Sequence, residues 1–269
     1  MTNIVGPLPD NLQNGTTADA SQVMANLNFI INAINTYGLA LADLPGQMLE
    51  NLSLGSLVGV KPFTQTGTYN PSTNANSALV IGQGAGGAGG GAPAAATGAI
   101  TLGLGGNAGA FGVLYVPTGV AATSVTIGAG GTGVSGAAGN GGGATSFGLL
   151  MQCAGGAGGT YAGPSSGFVG GQNTAAAAVT GSGNIIVSGG GDTARVPAIA
   201  LNVSNFISGP GASSRFGVGA AAIFNYGPGL TGTGYGSGGS GAASSNGTNA
   251  YAGGSGSQGY VLVFEFAGP

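Results

Sequence analysis

Glycine falls on every third position through long parts of this sequence. In the stretch from Thr126 to Phe147, the spacing is kept by Gly130, Gly133, Gly136, Gly139 and Gly142. A period of three differs from the helix and strand periods and is that of the polyproline-II conformation, which makes no internal hydrogen bonds. Because buried backbone N–H and C=O groups need partners, one such segment requires others packed beside it, and a glycine edge lets them approach closely.

Further segments of this kind occur in the chain. The same spacing is found within residues 84–90, 103–112 and 253–259, with shorter fragments elsewhere. The runs are interrupted, unlike the strict repeat of a collagen triple helix. The sequence therefore predicts a mainly β, glycine-rich domain in which short strands alternate with packed polyglycine-II segments.

The composition favours a compact fold over a disordered chain. Glycine accounts for 62 of 269 residues, yet 42% of the residues are hydrophobic and only 3% are charged. Disordered chains normally combine low hydrophobicity with high charge. Because ordering glycine costs more conformational entropy than ordering other residues, we expect lateral hydrogen bonding, burial or oligomerisation to offset that cost.

The residue content also excludes several functions. The three basic residues, Lys61, Arg195 and Arg215, are too few to bind nucleic acid by neutralising phosphates. With no histidine and one cysteine, Cys153, which we expect to be buried, the chain offers neither a Cys/His metal site nor an internal disulfide. We also expect no secretory signal and no membrane insertion, because no basic region precedes an apolar core and no run of about 18 apolar residues occurs.

Residues 1–60 are predicted to form an N-terminal attachment module with one helix over about 19–37, capped by Asp19 and stopped at Gly38. Its apolar residues are spaced alternately by three and four, and Asn26 falls on the opposite, polar face. Two interpretations remain open: an amphipathic helix packed on its own chain, or a short trimeric coiled coil. The oligomerisation candidates are Val23, Leu27, Ile30 and Ile34.

From residue 61 to residue 269 the sequence is glycine-rich with β segments, so we place a domain boundary near residue 60. Strands are predicted at 78–81, 112–116, 124–127, 184–187 and 260–266, with a strand and turn at 63–71 and a further apolar run at 147–153. The last segment, YVLVFEF, is expected to close the domain, with Glu265 facing solvent. Residues 160–180 and 192–230 are less periodic and are interpreted as long, variable loops.

No group of residues in the sequence indicates catalysis. Two G-x-G-x-x-G patterns follow strands, at Gly82 and Gly128, but neither leads into a helix as a dinucleotide site requires. Nucleophilic catalysis lacks a histidine base, and Asp192 and Glu265 form no evident pair of facing carboxylates. We therefore expect no enzyme activity, no cofactor and no bound metal, and we expect Asp192 and Arg195 to form a surface ion pair.

The order of the glycine-rich blocks resembles the C-terminal domain of bacteriophage tail-fibre and adhesin proteins. The resemblance begins at FTQTGTYNP (63–71), continues through VIGQGAGGAGGG (80–91) and VTIGAGGTGVSGAAGNGGGATSFG (125–148), and ends at GGSGSQGYVLVFEF (253–266). Residues 14–35, NGTTADASQVMANLNFIINAIN, resemble an attachment module that often precedes such domains.

The resemblance implies a receptor-binding virion protein of the tail fibre or tail tip that attaches to the host surface. Its implied partners are a bacterial outer-membrane protein or surface glycan, and other tail proteins through residues 1–60. Many such fibres are homotrimers, although one adhesin branch caps its fibre as a single copy. Loops on a rigid scaffold carry binding residues, and aromatic and arginine side chains dominate interfaces. The receptor-binding candidates are therefore Tyr161, Phe168, Arg195, Asn205, Phe206, Arg215, Phe224, Asn225 and Tyr226.

Three other functions remain open from the sequence. The chain could be a purely structural fibre component without a ligand, or a secreted glycine-rich surface or ice-binding protein. It could also be a spike that cleaves glycans, although it offers no acid/base pair for that reaction.

Overall fold

The computed structural model describes residues 23–32, 56–173 and 175–268. The chain divides into two compact units between Ser56 and Leu57. In the first unit, helix α1 spans 23–32, and both predicted helix ends, like Ile34, lie outside the described residues. Val23 and Leu27 are exposed, but Asn26, expected on the polar face, is buried. The spacing of the apolar residues therefore did not reveal which side of the helix is covered.

The first sheet of the second unit has five antiparallel strands. In spatial order they are β1 (Leu57–Phe63), β16 (Tyr260–Ala267), β3 (Ala75–Gln83), β5 (Phe111–Val116) and β12 (Asn184–Gly189). The predicted closing strand is therefore present as β16. It lies inside the sheet, where Val263 pairs with Lys61 of β1 and with Val80 of β3.

A second five-stranded antiparallel sheet packs against the first. Its strands, in spatial order, are β11 (Val179–Thr180), β8 (Met151–Cys153), β7 (Thr145–Phe147), β6 (Thr123–Thr126) and β2 (Gly67–Tyr69). The core between the two sheets contains Val80, Leu114 and Val263 from the first and Tyr69 and Phe147 from the second. Cys153 is buried in this core, as predicted, and burial raises the pKa of its thiol to about 12.

Two three-stranded sheets enclose a second core. One consists of β15 (Ala243–Ser245), β4 (Ile100–Gly103) and β9 (Tyr161–Ser165), and the other of β10 (Val169–Gly171), β13 (Ala198–Asn202) and β14 (Asn205–Ile207). Ile100, Leu102 and Ala200 contribute to the core between them. Strands β9, β10, β13 and β14 lie in the stretches interpreted as loops. That interpretation missed them because they are short and rich in alanine, glycine and asparagine, which have low strand propensity.

Glycine-rich segments run between the two cores. Residues 104–110 lead from β4 to β5, and residues 154–160 lead from β8 to β9. At their centre, successive N–H groups of residues 84–92 donate in turn to the segments 104–110, 137–143 and 251–257, with N···O distances of 2.8–3.2 Å. The sequence of three acceptor segments repeats with every third residue.

The carbonyl groups of the same central segment bond to other neighbours. Residues 85 and 88 accept from the 156–159 segment, residues 87 and 90 accept from the 239–242 segment, and Gly86 accepts from Gly131. The 84–92 segment is thus hydrogen-bonded to six neighbouring segments. These bonds supply the lateral partners that the threefold glycine period predicted.

Close approach of backbones explains the glycine pattern in this central segment. A Cβ atom at Gly84, Gly87 or Gly90 would lie 1.7–2.2 Å from a carbonyl oxygen of the 154–160 segment. A Cβ at Gly86 or Gly89 would lie 1.9 Å from a carbonyl oxygen of the 237–240 segment. The third position of each turn holds Ala85 or Ala88, and both are fully buried. Two edges of the segment, rather than the single edge expected, therefore require glycine.

The longest glycine run, within 126–147, proves to be two antiparallel segments joined by a turn. Gly143 donates to Ala129 at 2.8 Å and Asn140 to Thr132 at 3.1 Å. Gly136 lies at the reversal with a φ of 67°, a conformation that favours glycine. The glycine period therefore continues through a turn at which the chain changes direction.

Candidate binding surfaces

Exposed apolar side chains lie on the outer side of the β10–β13–β14 sheet. In β13, Ala198 and Ala200 belong to the second core, so strand alternation directs Ile199 and Leu201 to the outer side. Leu201 is 68% exposed, Phe168 is 69% exposed and Phe224 is 67% exposed. We use the term apolar face for Phe168, Ile199, Leu201, Ile207 and Phe224.

These residues are neighbours in space. Ile199 pairs with Ile207 of β14 and with Gly170 of β10. The ring of Phe168 lies beside Gly170, where a Cβ would be 3.3 Å from the ring. Phe224 lines a shallow groove of about 520 Å³ together with residues of β13 and β14. The apolar face is thus continuous across three strands and one adjoining segment.

A stacked pair of rings fixes the adjoining segment to this sheet. The rings of Phe206 and Tyr226 are 5.2 Å apart and nearly parallel, at 13°. Phe206 packs against the second core, and the hydroxyl of Tyr226 donates to the carbonyl of Val203. These contacts hold Phe224 next to β14.

Six of the nine receptor-binding candidates lie in or next to the apolar face: Phe168, Asn205, Phe206, Phe224, Asn225 and Tyr226. Tyr161 lies in β9 and is 41% exposed. Arg195 and Arg215 line two other clefts. Ile199, Leu201 and Ile207 were not among the candidates chosen from the sequence, although the alternation of small and large apolar residues in AIAL (198–201) could have identified the first two.

Arg215 lies at one end of a row of aromatic rings. Its guanidinium carbon lies 5.4 Å from the ring centroid of Phe111, a cation–π distance. Phe111, Phe216, Tyr260 and Tyr235 follow, with successive centroid separations of 6.1, 5.7 and 4.7 Å. Burial and, to a lesser degree, the neighbouring Tyr235 raise the pKa of Tyr260. Arg215 is therefore held against a packed aromatic surface.

The predicted ion pair between Asp192 and Arg195 is wrong. Among the described residues, the one ion pair joins Lys61 to Glu265, at 3.2 Å. The Nε of Arg195 instead donates to the hydroxyl of Thr193 at 3.1 Å. Residues 192–195 are not helical, so a spacing of three does not place the two side chains side by side as it would on a helix.

The prediction that Glu265 faces solvent is also wrong, because its side chain is fully buried. One carboxylate oxygen accepts from the hydroxyl of Tyr69 at 2.7 Å and from the backbone N–H of Ser72 at 3.0 Å. The other accepts from the hydroxyl of Ser72 at 2.6 Å. Burial raises the pKa of Glu265, but the bonds from Ser72 and Tyr69 and the nearby Lys61 lower it more, so the net pKa lies below its usual value.

The described residues contain no group of three or more His, Cys, Asp or Glu side chains placed to hold a metal ion. None of the helical residues described forms a helix long and apolar enough to cross a membrane. Comparison with models of known protein families gave no match. A search of curated proteins likewise found no match to this sequence.

Proposed function

We propose that this protein is a bacteriophage tail-fibre or tail-tip protein that binds the host surface through the apolar face. The observation that carries the proposal is the side-by-side exposure of Phe168, Leu201 and Phe224, each about two-thirds exposed. Contiguous exposed apolar patches are rare on soluble proteins and mark interaction sites. The resemblance of the glycine-rich blocks to phage tail proteins supports the same function.

The glycine-rich segments suit the role of a rigid platform for such a surface. We infer that they are polyglycine-II helices, because their hydrogen bonds repeat with every third residue. At many of these glycines an added Cβ would lie about 2 Å from a neighbouring backbone atom. Packing this close leaves no room for the segments to slide past each other or for side chains to rearrange. A surface built on this platform would change little on binding, which limits the entropy cost of association.

The chemistry of the apolar face favours a protein receptor over a glycan. None of its five residues is charged or can form a side-chain hydrogen bond, and the groove next to it adds only Ser204 and Asn205 as polar side chains. Aromatic and aliphatic side chains of this kind form the cores of protein–protein interfaces. We therefore propose a bacterial outer-membrane protein as the receptor.

Substitution of the apolar face should weaken this interaction strongly. The double variant Leu201→Ser, Phe224→Ser is expected to bind host cells about thirtyfold or more weakly, because interface anchors contribute about 2 kcal/mol or more. Binding of labelled full-length protein to cells of the host strain measures the effect. Pre-incubation of those cells with wild-type protein should also block adsorption of the phage.

Leu149→Ser is the matched control for this experiment. Leu149 is 88% exposed but lies between β7 and β8, next to the first core. It should leave both binding and blocking unchanged. If saturating wild-type protein does not block adsorption, or if the double variant blocks as well as wild type, the receptor-binding proposal fails and a purely structural fibre component becomes the better explanation.

We further propose that the N-terminal module attaches the protein to the tail and forms a homotrimer through α1. Val23 and Leu27 are each nearly half exposed, and Ile30 is partly exposed. Their spacing of four and three is that of a coiled-coil seam. Burial of these side chains between copies would remove exposed apolar surface from water.

The double variant Leu27→Asp, Ile30→Asp should therefore convert a trimer to monomers, since charges in the seam would be buried without partners. Light scattering coupled to size-exclusion chromatography gives the mass directly. Asn28→Asp adds one negative charge at an exposed polar position of α1 and should leave the trimer intact. A monomeric wild-type protein at micromolar concentration would refute the trimer.

A further inference from the structure

Charge is concentrated in one small region of the glycine-rich domain. Residues 57–268 contain five charged side chains, and Lys61 and Glu265 pair with each other. The other three, Asp192, Arg195 and Arg215, line two clefts that share Asp192. In a domain otherwise almost without charge, this placement distinguishes the two clefts from the rest of the described surface.

The cleft beside Arg215 is polar and has the size of a small ligand. Its volume is about 330 Å³, and its walls include Gln83, Phe111, Asp192, Ser213 and Arg215. Asp192 and Arg215 are not within ion-pair distance of each other, since the Lys61–Glu265 pair is the one ion pair of the described residues. The carboxylate and the guanidinium are therefore both available to a bound molecule.

Gln83 supplies a buried acceptor without a donor. Its side-chain nitrogen donates to the carbonyl of Gly109 at 2.7 Å and to those of Gly84 and Ala110 at 3.3 Å each. Since carbonyls only accept, these three bonds fix which end of the amide is the nitrogen. The side chain is 1% exposed, and its oxygen has no hydrogen-bond partner. A buried acceptor left unpaired is costly, and Gln83 is one of the residues that line this cleft.

The combination of groups selects the chemistry of the ligand. Gln83 and Asp192 need donors and Arg215 needs an acceptor, while Phe111 adds an apolar wall to the cleft. A phosphate would be repelled by Asp192, and an ammonium group by Arg215. Sugar hydroxyls both donate and accept, while the C–H faces of a sugar ring are apolar. We propose that this cleft binds one neutral pyranose unit.

The neighbouring cleft gives the ligand room to extend. It has a volume of about 400 Å³ and is lined by Thr193 and Arg195 in addition to Asp192 and Ser213, which line both clefts. A second sugar unit attached to the first would find hydroxyl, carboxylate and guanidinium groups there. The ligand can thus be a free sugar or a unit within a glycan, and the test separates these sources. The inference does not rest on the proposed function, because none of these residues belongs to the apolar face.

The test uses saturation-transfer NMR on the full-length protein with neutral methyl glycosides of glucose, galactose, mannose and N-acetylglucosamine. We expect at least one to bind with a dissociation constant of about 1 mM. Asp192→Asn and Arg215→Met should each weaken that binding about tenfold or more, because each removes a bond to a charged group. Both side chains are exposed, so the variants should keep the wild-type melting temperature.

Arg195→Met is the matched control, because it removes an arginine from the neighbouring cleft alone. It should leave monosaccharide binding unchanged and should weaken binding of a disaccharide. Tighter binding of host polysaccharide than of its free sugars would identify a glycan as the source, whereas equal binding would identify a free sugar. If no glycoside or polysaccharide binds, or if binding survives in the Asp192→Asn, Arg215→Met double variant, the inference is overturned. Phage adsorption is measured separately, so failure of the receptor-binding proposal would not decide whether the cleft binds a sugar.

Discussion

Replacement of Gly87 with alanine is expected to lower the melting temperature of the glycine-rich domain by about 10 °C or to prevent folding. The added Cβ would lie 2.2 Å from the carbonyl oxygen of Ala157. The obstacle is backbone, which cannot rotate away as a side chain can. Moving it would strain the bonds that Gly87 makes, as donor to Asn107 at 2.9 Å and as acceptor from Gly239 at 3.0 Å.

The expected cost follows from overpacking. Extra atoms in a packed core typically cost about 1–3 kcal/mol, and a backbone obstacle places Gly87→Ala at or above the upper end. A loss of about 3 kcal/mol corresponds to a change of about 10 °C for a domain of this size. Circular dichroism during heating, with urea denaturation as a second measure, gives both quantities.

Two substitutions in the same chain serve as controls. Gly67→Ala adds the same methyl group in β2, where nothing lies within 4 Å of the new Cβ, so stability should change by less than about 1 kcal/mol. Ala88→Gly, next to Gly87, removes a buried methyl from the third edge of the central segment and should cost about 1 kcal/mol through lost burial and added chain entropy. If Gly87→Ala is no more destabilising than Gly67→Ala, the packing described for residues 84–92 is incorrect.

The lateral packing of the glycine-rich segments could be predicted from the sequence because the glycine period reflects a local rule. Each turn of three residues meets the same neighbours, so the same edge needs glycine at every turn. The direction of a segment does not change that requirement, which is why the period continues through the reversal at Gly136. Nothing in the run itself marks the turn, because glycine satisfies both the close approach and the positive φ.

Long-range pairing limited the rest of the prediction. Strongly β segments such as β3, β5 and β16 were identified from their own residues, whereas β10 and β13 depend on neighbours distant in sequence. Glu265 shows the same limit. Alternation along β16 places it on the same face as Val261 and Val263, but the segment alone does not show that this face is the buried one. Its partners, Lys61, Tyr69 and Ser72, lie far earlier in the chain.

The candidate surfaces were predictable to a similar extent. Aromatic residues such as Phe168 and Phe224 were selected by type, and the fold brings them next to β13. The polar cleft was not predictable, because it joins Gln83, Phe111, Asp192 and Arg215 from separate parts of the chain. Gln83 gives no signal in the sequence, since only the hydrogen bonds of its nitrogen reveal an oxygen without a partner.

Glu265→Gln is expected to destabilise the domain by about 3 kcal/mol at neutral pH, as removal of one member of a buried charged cluster usually does. The neutral amide oxygen accepts more weakly from Tyr69 and Ser72 than the carboxylate does. The NH2 group of the amide would in addition face a donor, since both carboxylate oxygens accept hydrogen bonds. Lys61 would lose its counter-charge. Tyr69→Phe removes a single bond to the carboxylate and should cost about 1.5–3 kcal/mol.

The loss of stability caused by Glu265→Gln should become smaller as the pH falls. Because the folded pKa of Glu265 lies below its usual value of 4.5, the carboxylate stabilises the fold above that pH, and this contribution is lost as pH falls through the folded pKa. Urea denaturation between about pH 3 and pH 7 should therefore show the stability of the wild type and that of the Glu265→Gln variant converging in acid. Asp192→Asn removes an exposed carboxylate that has no ion pair among the described residues, so it should leave stability at pH 7 close to that of the wild type. A difference that is equal at every pH, or absent at pH 7, would mean that the Glu265 cluster does not stabilise the fold through its charge.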